Sequence, residues 1–238
     1  MGNTNQIKSL KDTIKSIDIS HLFAKNLKHG VSHHDSNWEL FEPARFIYSF
    51  FAFNMLYEID WKESLKRRKV WHSRSKKYGH ASNKMVLLLK FIYSKRGEKS
   101  FKEYYSKYDG SLRLLDNSYQ IVPDYNINRP DLNDFLVKED SYVNNYRRSL
   151  KNLKDDKFSI QDHYKLLIFC YQIRNNVFHG LKKASEMIKS GQRERLVDYS
   201  NILIATKEMF FDIMEEEIGY LPANDDNLKE NAGIISYL

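Results

Sequence analysis

The chain has 238 residues, 42% of them hydrophobic and 14% aromatic, which excludes a disordered polypeptide and suffices for a buried core. Only 9 glycines and 4 prolines interrupt it, a usage that argues against a turn-rich β architecture and for an all-α fold. The formal charge of +7 favours a polyanionic partner, and the single cysteine, Cys170, permits neither an internal disulfide nor a cysteine metal cage.

The polar start, MGNTNQIKSLKD, does not read as a signal peptide and lacks the hydroxyl residue of a myristoylation signal at position 6. The most apolar run, FIYSFFAFNMLY at 46–57, is too short to span a bilayer. No membrane association is expected, and one free cysteine fits a reducing cytoplasm.

Residues 6–28 predict a polar amphipathic helix with Ile7, Leu10, Ile14, Ile17, Leu22 and Leu27 on its apolar positions. KHGVSHHDSN at 28–37 reads as a loop. Its His29, His33, His34 and Asp35 lack a second cluster at ligand spacing, so no metal site is expected. After a cap at Asp35 or Ser36, the stretch from Trp38 to Arg68 predicts one long helix, or two joined near Pro43. From Phe46 to Tyr57 it is apolar on nearly every side, which places it at the centre of a bundle. KRRKVWHSRSKK at 66–77 holds no acid and reads as a solvated face or a phosphate-attracting patch. Helices are expected around NKMVLLLKFIYSKR and SFKEYYSKYD, and a proline- and asparagine-rich loop at 116–135.

The final third is helical again, at 139–154, 159–180 and about 195–218. Ser159 and Asp162 resemble a capping box in which Asp replaces Glu. The last helix sets Leu196, Tyr199, Ile202, Leu203, Met209, Phe210 and Ile213 on one face, and Cys170 reads as core. No internal repeat, Gly-rich phosphate loop, nucleophile elbow or HExxH occurs.

YQIRNNVFHG at 171–180 carries the candidate chemistry. On a helical wheel Arg174 falls among Tyr164, Leu167, Ile168, Tyr171 and Phe178, where an unpaired guanidinium is costly. Asn175 and His179 stand four apart and share a face, and Gly180 is a natural stop. An arginine paired to an internal acid and a histidine capping its helix would account for the same residues. The spacing alone is weak, since Arg67 and His72 repeat it.

IRNNVFHG resembles the R-N-x-x-x-H signature of the HEPN superfamily, and ARFIYSFFAFNMLYEIDW is similar to the apolar first core helix of many bacterial members. Together these motifs cover about thirty residues. The resemblance implies a single HEPN-like helical domain over 1–238, with core segments at about 36–62 and 139–218 and an inserted elaboration at about 63–138. It also implies a metal-independent endoribonuclease without cofactors, a toxin or antiviral defence effector whose two motifs meet in a homodimer, with an antitoxin or regulatory protein as a possible partner. Arg174 and His179 would then be catalytic and Asn175 supporting, with Asn54 and Glu58 further supporting candidates. Lys66, Arg67, Arg68, Lys69, Arg147 and Arg148 would attract RNA. Leu181 stands where members paired with a nucleotidyltransferase antitoxin often carry tyrosine, so modification there is not expected. Some members lack catalysis, which keeps two other readings open. One is a non-catalytic module binding RNA, a nucleotide or a protein; the other is a structural dimer.

Overall fold

A computed structural model of the chain describes residues 2–26, 41–59, 81–97, 100–108, 141–178, 187–188 and 190–222. Seven helices and no strand occur among them: α1 (Gly2–Asn26), α2 (Phe41–Glu58), α3 (Ala81–Arg96), α4 (Ser100–Ser106), α5 (Ser141–Lys154), α6 (Ile160–Phe178) and α7 (Ser190–Ile218). The all-α expectation therefore holds. The loops expected at 28–37 and 116–135 and the basic run at 66–77 lie outside the described residues.

The helices form where apolar positions recur every three to four residues. In α1, Ile14 and Ile17 are buried while Asp12, Thr13, Lys15 and Ser16 face outward. Pro43 does not break α2. It sits in the first turn of α2, where its missing N–H costs nothing. At the start of α6 the expected capping box is present. The Asp162 backbone N–H donates to Ser159 Oγ at 3.3 Å, and the Ser159 backbone N–H donates to Asp162 Oδ2 at 3.1 Å. The same carboxylate accepts from Ser149 and Asn152 on α5, so one residue both starts α6 and fastens its neighbour. Gly219, at a φ of +59°, stops α7 by donating its N–H to the Glu215 carbonyl.

Helix α7 is the axis of the bundle, contacting α1, α2, α3, α4 and α6. Every residue from Asp198 to Lys207 is buried, including five polar ones. Burial on all sides makes interior partners valuable, and four of these polar residues have them, while Asn201 Oδ1 has none. Ser200 and Thr206 donate back to the carbonyls of Leu196 and Ile202. Asp198 accepts from the hydroxyls of Tyr105 and Tyr146, tying α4 and α5 to the axis. Lys207 Nζ donates to the Ser49 carbonyl on α2 at 2.9 Å.

The stretch expected as an elaboration, 63–138, supplies α3 and α4, and both enter the same core. Met85, Leu88, Leu89, Ile92, Phe101 and Tyr105 pack with Phe46, Phe53, Ile168 and Phe210. Helix α1 does likewise through Ile14 and Ile17. Helix α2 lies among α1, α3, α6 and α7, but its expected all-round burial is incomplete. Tyr48 and Phe51 remain exposed. Cys170 is buried in the core as expected, and burial raises its thiol pKa well above the ordinary range.

His163 shows how strictly the interior is wired. Its Nε2 lies 2.8 Å from Thr206 Oγ1 and its Nδ1 2.9 Å from the Tyr93 hydroxyl. Thr206 directs its only proton to Ile202, so it accepts from His163 Nε2–H, which leaves Nδ1 to accept from Tyr93. The ring also lies against Phe101, with centroids 3.9 Å apart. Burial pushes its pKa down to about 3, which keeps it neutral.

Candidate functional site

The last turns of α6 present Arg174 and Asn175 side by side. Apolar contacts of Leu166, Leu167, Ile168, Phe169, Cys170 and Ile173 hold this helix in the core. That anchoring fixes where its polar residues emerge.

Arg174 is half-buried. Its Nη1 donates to Asn175 Oδ1 at 3.0 Å, and the guanidinium carbon stands 4.5 Å from the Phe178 ring centroid and 5.7 Å from that of Phe50. Among the described residues no carboxylate pairs with it, and its Nε is buried without an acceptor. Two aromatic faces therefore do the work an acid would do in an ordinary interior pair. The reading in which Arg174 meets an internal acid has no support among the described residues.

Asn175 is buried and gives Arg174 its acceptor, while its Nδ2 has no partner. The expected hydrogen bond to His179 cannot be placed, because His179 and Gly180 lie outside the described residues. Gln172, one turn earlier, is also buried with its Nε2 unpartnered. Unsatisfied amide donors are uncommon in a settled interior.

Helix α2 supplies the facing wall. Phe50 lies 6.1 Å from Tyr171 between ring centroids, and the Tyr57 hydroxyl donates to Asn54 Oδ1. That hydroxyl is held in its protonated form, first by burial, then by Tyr171 and Glu58, with Arg174 pulling the other way. Asn54 thus joins the neighbourhood of Arg174 through Tyr57. Glu58 instead forms an ion pair with Lys84 that links α2 to α3.

Arg174 also borders an exposed aromatic surface. Phe51 and Phe178 have ring centroids 5.8 Å apart, Tyr48 lies 6.2 Å from Phe51, and the three are 41%, 45% and 39% exposed. Large exposed aromatics grouped in this way mark surfaces that other molecules cover. Phe178 is visible in the apolar arc of the 171–180 stretch. Phe51, Tyr48 and Tyr57 are not singled out by sequence, because a phenylalanine-rich helix gives no sign of which side stays open.

The remaining candidates fall in two groups. Lys66, Arg67, Arg68 and Lys69 lie outside the described residues, as do His29, His33, His34 and Asp35. Arg147 and Arg148 are exposed on α5. Among the described residues no group of three or more His, Cys, Asp and Glu could hold a metal ion, and no helix is long and apolar enough to cross a membrane. No family model, curated protein or solved structure matches the chain.

Proposed function

We propose that this protein is a metal-independent endoribonuclease of HEPN type. It works as a homodimer without cofactors, in the cytoplasm, as a toxin or antiviral defence effector under the control of an antitoxin or regulatory protein. The observation that carries this reading is Arg174. Its guanidinium is half-buried, clamped between aromatic rings, unmatched by a described acid and set at the edge of an exposed aromatic surface.

The chemistry suits these groups. In RNA cleavage the 2′-oxygen attacks the adjacent phosphorus, the bond to the 5′-oxygen breaks, and a 2′,3′-cyclic phosphate and a 5′-hydroxyl result. One base must take the 2′-hydroxyl proton and one acid must protonate the departing 5′-oxygen. His179, next in sequence to the end of α6, is the residue type suited to either task. One chain supplies one such histidine, so a two-fold dimer supplies both.

Arg174 carries five N–H donors, and its bond to Asn175 uses one. Its Nε is buried, so the remaining Nη hydrogens are the ones offered to the non-bridging oxygens, where charge gathers during attack. Asn175 sets the rotation of the guanidinium and is a positioning residue. Association through Tyr48, Phe51 and Phe178 would bury the exposed rings and bring the two Arg174 side chains toward one cleft. The test is incubation with total RNA in EDTA beside Arg174→Ala and His179→Ala. Cleavage by the wild type alone is expected. RNA left equally intact by all three, or a requirement for magnesium, overturns the proposal.

A further inference from the structure

Where α1, α2 and α7 meet, the interior is not wholly apolar. His21 and Lys25 stand one turn apart on α1, Ser49 lies on α2 and Lys207 on α7. His21, Ser49 and Lys207 are 5%, 0% and 0% exposed, while the Lys25 side chain is 48% exposed and pairs with Glu208. A polar seam therefore runs from the surface at Lys25 into the core at Ser49.

This seam holds donors that the described residues do not answer. Lys207 Nζ carries three N–H bonds, and one of them meets the Ser49 carbonyl at 2.9 Å. No carboxylate among the described residues accepts from it. Ser49 Oγ and His21 Nδ1 are buried without a partner. The acids nearby are engaged by other groups, although each keeps one buried oxygen unbonded: Glu208 accepts from Lys25 and Tyr108, and Glu42 faces Arg45. Lys25, Arg45 and Lys207 against Glu42 and Glu208 leave one cation in excess before His21 is counted. Burial lowers the pKa of His21 first, and the charges it feels after that, Lys207, Lys25 and Arg45, are all cations. Lys207 is lowered by burial and then by Arg45, with Glu208 opposing.

An excess of buried positive charge is costly, and an anion that accepts from the same donors removes the cost. We propose that this seam is a binding site for a small free oxyanion, a phosphate or sulfate, held by Lys207 Nζ, Ser49 Oγ and His21 Nδ1. Groups buried this far suit an ion of that size and not a nucleic-acid strand. The inference stands on residues other than those of the ribonuclease reading and does not depend on it. Because Ser49 adjoins Phe50, which touches Arg174, the test has to separate the two places.

The test is thermal melting of the full-length protein in phosphate-free buffer, with sodium sulfate compared against sodium chloride of equal ionic strength. Sulfate at about 10 mM should raise the wild-type Tm by about 3 °C or more beyond chloride. Lys207→Met should melt cooperatively and lose that shift, Ser49→Ala should weaken the sulfate Kd about fivefold, and Arg174→Ala should keep the full response. NMR of the His21 Cε1–H, assigned with His21→Gln, should show the ring titrating at higher pH when sulfate is present, because a bound anion favours the imidazolium. No wild-type shift beyond chloride, an equal shift in Lys207→Met, or an unchanged Kd in Ser49→Ala would each overturn the proposal. So would a shift that disappears in Arg174→Ala, or a stronger response to adenosine monophosphate than to free phosphate.

Discussion

Arg174 and Asn175, neighbours in sequence, are joined side chain to side chain: Nη1 of the arginine donates to Oδ1 of the asparagine at 3.0 Å. Adjacent residues on a helix point about 100° apart, so this contact requires the arginine to bend back along the surface. The rings of Phe178 and Phe50 hold it in that posture.

The posture needs the planar fork. Arg174→Lys keeps the charge but loses the bidentate geometry and much of the stacking. Cleavage should fall on the order of 10²-fold, while stability stays within about 1 kcal/mol of wild type. Initial rates and urea unfolding on one preparation check both, and undiminished cleavage would remove Arg174 from the site.

Phe178 lies 5.8 Å from Phe51 with nearly half its surface open. Phe178→Glu places a charge at the centre of the proposed dimer contact. The dimer Kd should rise at least ~30-fold, corresponding to about 2 kcal/mol, with cleavage lost in parallel. Sedimentation across a concentration series measures it; an unchanged mass would move the interface elsewhere.

Three buried groups give the stability an unusual pH dependence. His163 has a folded pKa of about 3 against an unfolded value near 6.5, so its contribution is complete above about pH 6.5 and is lost as pH falls toward 3. His21, also lowered by burial and then by Lys207, Lys25 and Arg45, acts in the same direction. Asp198 is raised by burial to about 6, partly offset by Tyr105 and Tyr146, so its penalty is relieved as pH falls from about 6 to about 4. In the wild type Asp198 therefore offsets part of the loss that the two histidines cause. Asp198→Asn removes that offset, and acidification from pH 6.5 to 4.5 should then cost about 2 kcal/mol more than in wild type. Urea midpoints at the two values decide the matter, and equal losses would contradict the assignment.

Lys207 is fully buried with a backbone carbonyl as its hydrogen-bond acceptor, and burial lowers its pKa well below the ordinary range. Lys207→Met keeps similar bulk without an ammonium to desolvate. Stability at pH 7.5 should stay within about 1 kcal/mol of wild type or increase. The His21 ring should titrate at higher pH once that neighbouring charge is gone, which NMR of its Cε1–H measures. A loss of several kcal/mol would show that the ammonium supports the fold.

The sequence by itself determined the all-α class, the capping box of Ser159 and Asp162, and the placement of Arg174 among aromatic residues. These follow from spacing along a single helix, where three or four residues bring side chains together without help from the rest of the chain. Tertiary structure alone decided which helix is central. Helix α2 has the more uniformly apolar core run, yet α7 is the axis, with its buried Asp198, Thr206 and Lys207 partnered from α2, α4, α5 and α6. The structure also decided that α3 and α4 share the core and that Tyr48, Phe51 and Phe178 form one open surface beside Arg174. Those facts depend on contacts between residues far apart in sequence, 158 positions for Lys207 and Ser49, and no local period encodes them.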